Sequence, residues 1–148
     1  MAAEFAFGTE NERICVRILA FESTADKESV VEWLDSTVSV NIGAFLGSFK
    51  AGFTTQDLMG LYEQLNIALT SPSGKVSFKN TGGDLSLSIE FDDRGHAIAR
   101  GVIQPHRLPQ GILHFRLDMA QSDLIATSEE LHDALREFPV GKNARSAS

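Results

Sequence analysis

Apolar and polar side chains alternate along most of this chain. From Arg13 to Phe21, Ile14, Val16, Ile18 and Ala20 fall on one face, and Arg17 lies on the other with Cys15, Leu19 and Phe21. Period 2 with β-branched residues predicts a strand. Ser23 to Ser29 reads as a polar connection, and apolar character resumes from Val30 to Leu34, including Trp33. Val38, Val40 and Ile42 then alternate with Ser39 and Asn41, and after Gly43 the parity changes, with Phe45, Gly47, Phe49, Ala51 and Phe53 on odd positions. A period that switches face needs a turn or an extra residue. Phe45, Phe49 and Phe53 also fit a helical stripe. Three glycines would each cost such a helix about 1 kcal/mol relative to Ala, which favours a strand.

Helical spacing takes over next. Thr54 or Thr55 caps a helix, Asp57 complements its positive end, and Leu58, Leu61, Tyr62, Leu65, Ala68 and Leu69 trace one face. Ser71 to Gly74 stops it. Four further strands are predicted: Lys75 to Lys79, Leu85 to Phe91, His96 to Gln104, and one through Leu113, Phe115 and Leu117. Leu85, Leu87, Ile89 and Phe91 are expected inside, with Ser86, Ser88 and Glu90 outside. Asp92 to Gly95 reads as a hairpin turn. A last helix, from about Ser122 to Phe138, carries Leu124, Leu131, Leu135 and Phe138 on one stripe, and Pro139 ends it. The fold class is α+β: a curved, mainly antiparallel sheet of about seven strands with two packed helices. Residues 11–140 form a single domain, residues 1–10 and 141–148 are flexible termini, and no internal repeat is visible in the sequence.

Composition narrows the class. The chain has 148 residues, 43% apolar and 22% charged, which is enough to bury a core. Cys15 is the only cysteine, so there is no internal disulfide, and a cytoplasmic location is expected. No apolar run is long enough to span a membrane, and the start does not read as a signal peptide. The net charge is −7, which argues against a general nucleic-acid binder. Residues 1–37 hold −5 and residues 118–148 hold −3, so one contiguous acidic face requires the two ends to meet in space.

Chemistry is sparse. Gly74-Lys75 mimics the end of a phosphate loop, but Val76 and Leu69 stand where a hydroxyl and a glycine are needed. His114 and Asp118 share a strand face that His96 could approach, but scattered His and Asp match such templates easily, and neither a metal nor a cofactor is expected. Arg13 and Arg17 flank Cys15 on its own face, the positive setting that a reactive thiol needs. No catalytic residue is assigned.

A set of ordered motifs adds to this reading. Trp33-Leu34, Val38 to Gly43, Phe45-x-Gly47-x-Phe49 and Phe53-Thr-x-x-Asp57-Leu58 are followed by Asp118 to Leu124 and by Phe138-Pro139-Val140. The pattern resembles a family of small uncharacterised bacterial proteins and, more distantly, the immunity proteins that neutralise wall-associated contact-dependent toxins. The resemblance implies a shared fold more strongly than a shared function, and carries no functional residue with it. It implies a non-enzymatic cytoplasmic binding protein, an immunity-type inhibitor whose partner is a basic toxin domain. The alternatives are a small-molecule-binding domain and an enzyme with a dispersed acidic and histidine site. For partner binding the residues chosen are Glu90, Asp92 and Asp93, where a polar strand face runs into a charged turn. Reversing Asp92 and Asp93 to Lys is expected to leave folding nearly intact.

Overall fold

Strand alternation produces two meanders, each closed by a helix. The structure is a computed structural model that describes residues 2–22, 31–71, 74–106 and 110–141. The connection read over Ser23 to Ser29 and the chain end beyond Gly141 lie outside the described residues. The first unit runs β1 (Ala3–Gly8), β2 (Arg13–Phe21), β3 (Trp33–Ile42), β4 (Phe45–Thr54) and α1 (Thr55–Thr70). The second runs β5 (Lys75–Lys79), β6 (Leu85–Phe91), β7 (His96–Ile103), β8 (Leu113–Ala120) and α2 (Gln121–Glu137). The α+β class stands. The single sheet of about seven strands is corrected to two antiparallel four-stranded sheets, ordered β1-β2-β3-β4 and β5-β6-β7-β8. No sequence repeat shows, yet the architecture repeats, because patterning and not residue identity specifies each unit.

The eighth strand is β1, so residues 3–8 are not a frayed end. Phe5 and Phe7 expose no surface, and Ala6 between them is buried too. Burial on both faces removes the alternation that marks a strand in sequence. The element that covers β1 is α2, at the far end of the chain. Glu130 accepts from the Ala6 amide at 3.2 Å, and the Thr127 hydroxyl donates to the Ala6 carbonyl. The exposed edge of β1 is capped in this way. In the other unit, Gln64 of α1 accepts from the Ser77 amide of β5 at 3.0 Å. Each helix therefore satisfies the edge of the other unit's first strand.

The change of parity after Gly43 is a two-residue turn. Ile42 pairs with Phe45, and Gly43 has φ +58 while Ala44 stays out of the left-handed region, the combination of a type II′ hairpin. β4 then leaves the core towards this tip: Phe53 is fully buried, Phe49 half-buried, and Phe45 63% exposed. In β6, Leu85, Leu87 and Ile89 are buried as expected, but Phe91 at the strand end is only partly covered. In β2 a register shift between Ile18 and Ala20 turns Ala20 outward.

Aromatic rings join the two sheets. Phe53 of β4 lies 6.3 Å from Phe5 of β1, edge to face, and 6.3 Å from Phe78 of β5, stacked. Beside this core runs a polar tie. Asp84, 5% exposed, accepts from the Gly52 amide at 3.0 Å and from Asn80 at 3.2 Å. Asn80 donates to the Gly52 carbonyl at 2.9 Å, and the Gly82 amide donates to the same carbonyl at 2.8 Å. A Cβ on Gly82 would sit 2.8 Å from Gly52, so only glycine permits this approach. Asp57 completes the tie. Its carboxylate accepts from the Thr54 amide at 2.9 Å and the Thr81 amide at 2.9 Å, while Thr54 caps α1. The β5–β6 turn is thereby fastened both to β4 and to the start of α1.

Removing the Asp84 carboxylate leaves the buried Gly52 and Asn80 donors without their acceptor. Asp84→Ala is expected to cost about 3 kcal/mol, and Asp84→Asn, which keeps one acceptor oxygen, less. Denaturant melts of the two variants check this, and an unchanged Asp84→Ala melt would show that the tie is dispensable.

Candidate functional site

The residues chosen from sequence sit at one end of the second sheet. Glu90 is exposed and lies 3.7 Å from Lys75 on the neighbouring strand. Asp92 accepts from the Arg94 amide at 2.8 Å and the His96 amide at 2.9 Å, and its second oxygen lies 3.3 Å from the His96 ring. These backbone donors, first His96 and then Arg94, hold its carboxyl below the usual range. Asp92 closes the hairpin, so reversing it to Lys would damage the turn, and the expectation that both reversals spare folding is corrected. Asp93 is exposed. Lys75, Arg94 and His96 interleave with the three acids, so this end is mixed in charge.

The His96, His114 and Asp118 trio does not assemble. Along the β7–β8 pair, His96 faces Ala120, Asp118 faces Ile98 and His114 faces Val102. Four residues of strand separate His114 from Asp118, roughly 13 Å, and Asp118 is bound by Arg116 at 3.0 Å. Among the described residues no group of three or more His, Cys, Asp or Glu could hold a metal ion. Burial, then the Glu4 charge, pushes the Cys15 thiol up, opposed by Arg13. The flanking arginines therefore do not make it a reactive thiolate.

The acidic charge collects elsewhere. α1 carries Asp57 and Glu63 with no base, and α2 carries Asp123, Glu129, Glu130, Asp133 and Glu137 against Arg136 alone, so the helices hold −6 of the chain's −7. Glu4 of β1 joins them, because β1 packs on α2. The two ends of the chain do meet. Bases line the outward sheet faces instead: Arg13, Arg17 and Lys50 on the first sheet, and Lys75, Lys79, Arg100 and Arg116 on the second.

Among the concave features of the described residues, three bear on binding. Between α1 and α2 lies a groove of about 590 Å³, lined by Tyr62, Asn66, Leu69, Ile125, Ser128, Glu129, His132 and Asp133. Ser128 donates to Asn66 at 2.8 Å, and Gln121 donates to the Leu69 carbonyl at 3.3 Å, which fixes the two helices side by side. The Tyr62 and His132 rings meet at 5.9 Å across it, and Ile125 is 46% exposed. A second cavity, about 370 Å³, includes Trp33, Asp35, Lys50, Asp84 and His106 in its wall. Of its charged groups, Lys50 is engaged with Asp35 at 3.0 Å and Asp84 in the tie, and Glu22 also lines the wall. A third, about 400 Å³, runs from the β3–β4 tip to Ile112 and Leu113, and among the described residues no charged one lines it. Sequence reading missed the interhelical groove. The signal available was Ile125, one step off the buried stripe of Leu124 and Leu131, in helices almost without bases.

Residues 5–139 match the model of the family described as Immunity protein WapI-like family. No curated protein matches the chain. A solved structure titled "Crystal structures of trypanosoma bruciei MRP1/MRP2" is similar over 93% of this chain and 84% of that one, at 10% identity and a TM-score of 0.39. Among the described residues no helix is long and apolar enough to cross a membrane.

One acid in this charged layer sits in an unfavourable setting. Burial, and then the neighbouring Glu4, raise the Glu130 carboxyl above its ordinary 4.5, against the Ala6 amide and Arg13, which lower it. A raised carboxyl binds its proton in the fold before the unfolded chain does. Its contribution is therefore favourable below about pH 4.5 and is lost as pH rises through the folded value. Glu130→Gln keeps an acceptor for Ala6 and removes that loss. Its melting temperature is expected to match or exceed wild type at pH 7, with a smaller advantage at pH 4, as thermal melts at both pH values would show.

Proposed function

Because the chain belongs to the Immunity protein WapI-like family, we propose that it is a non-enzymatic immunity protein that binds a toxin domain and blocks its activity. The family match across residues 5–139 carries this reading. The site chemistry supports it. Among the described residues there is no metal-holding cluster, and the second cavity spends Lys50, Asp35 and Asp84 on internal contacts. An inhibitor needs neither. It needs a rigid surface that covers the partner's working site, and a protein that folds without a disulfide. A cytoplasmic setting suits a chain whose one cysteine has no internal partner.

The direct test takes the product of a gene flanking this one as the candidate toxin domain. The purified chain is expected to form a complex with it that survives gel filtration and to abolish its activity at equimolar ratio. Cells producing both proteins should grow where cells producing the toxin domain alone do not. A toxin domain that stays fully active in excess of this chain would contradict the reading.

A further inference from the structure

We propose that the groove between α1 and α2 is where this chain holds its toxin domain, and that the matching surface of that domain is basic and places an apolar side chain against Leu69 and Ile125. The inference rests on the immunity reading and adds the surface and the chemistry of the partner.

Charge complementarity is the first support. The helices hold −6 of the total −7, and the only base on either is Arg136. The outward sheet faces carry Arg17, Lys50, Arg100 and Arg116 instead. Lys50 and Arg116 are paired with Asp35 and Asp118, so the sheet faces are mixed in charge, and the helix face is the one that attracts a basic surface, which speeds encounter and fixes orientation. Glu129 and Asp133 line the groove itself, and Glu63 stands exposed on α1.

The groove adds an apolar centre to the charged rim. Leu124 and Leu131 spend the buried side of α2 on the core and expose nothing, so the core does not use Ile125, which stays 46% exposed. Ile125, Leu69 and Tyr62 lie together with polar neighbours around them. An apolar and aromatic centre inside a polar rim is the arrangement in which a few residues dominate binding. The scaffold is rigid, because Ser128 to Asn66 and Gln121 to the Leu69 carbonyl hold the helices together before any partner arrives. The cleft at the β3–β4 tip has no acid among its described lining residues to select a basic partner.

The test measures association of the full chain with the same candidate toxin domain at several salt concentrations. Four variants are compared after thermal melts confirm folding: Ile125→Arg, the milder Ile125→Ala, the double change Glu129→Lys with Asp133→Lys, and Glu90→Lys with Asp93→Lys as the rival acidic site. Ile125→Arg is expected to weaken binding by roughly 30-fold or more, the level of a dominant interface residue, and Ile125→Ala in the same direction by less. The Glu129 and Asp133 reversal should slow association by about tenfold and flatten its salt dependence. The Glu90 and Asp93 reversal should change neither. Tight wild-type binding that the groove variants leave intact overturns the groove and spares the immunity reading. Wild-type binding lost only in the Glu90 and Asp93 variant moves the interface to that hairpin. No wild-type binding at all overturns the immunity reading and the groove with it.

Discussion

Everything in this fold hangs on the carboxylate of Asp84. It is nearly buried, and its two oxygens accept from Gly52, Asn80 and the His106 amide. A buried carboxylate is tolerable only with such partners. Through it the β5–β6 turn of the second unit locks onto β4 of the first, at a contact so close that Gly82 must lack a side chain. Asp57 extends the same tie to the start of α1. Once the two sheets are fixed in this way, Phe53 can bridge Phe5 and Phe78 in the core. Each helix then reaches across to the other unit's first strand, and α1 and α2 come to lie side by side. The groove is a consequence of that crossing.

The same crossing sorts the charge. Two meanders whose outward faces carry lysines and arginines are backed by two helices almost without bases. Chain ends that are far apart in sequence meet where β1 packs on α2, and their acids add to one face. Packing there has a local cost: burial, with a smaller push from the Glu4 charge, raises the Glu130 carboxyl. Natural proteins accept such costs where a surface has a task. For a member of an immunity protein family, capture of a basic partner is a task that fits.

Much of the fold was legible because strands with one wet face announce themselves. β6 alternates cleanly, and Leu85, Leu87 and Ile89 are buried as their parity requires. The helix over Thr55–Thr70 follows from its cap and 3.6-residue stripe. β1 was illegible for the opposite reason: Phe5, Ala6 and Phe7 are buried on both faces, and the helix that covers them comes more than a hundred residues later. The division into two sheets was hidden because alternation gives the facing of a strand and not its neighbours. The site was harder still. Glu90, Asp92 and Asp93 form a visible acidic cluster in sequence, but Asp92 serves the backbone of its own turn. The acids that do gather come from separate elements, and only packing brings them together.

Hydrogen exchange of the whole chain, alone and with the candidate toxin domain, tests the central claim that the helix pair is the working face. Slowed exchange is expected in α1 and α2, centred on Tyr62 to Leu69 and Ile125 to Asp133, with the outward strands of the second sheet unchanged. Protection confined to the Asp92 to Gly95 hairpin or to the β3–β4 tip, with both helices exchanging as in the free chain, would contradict it.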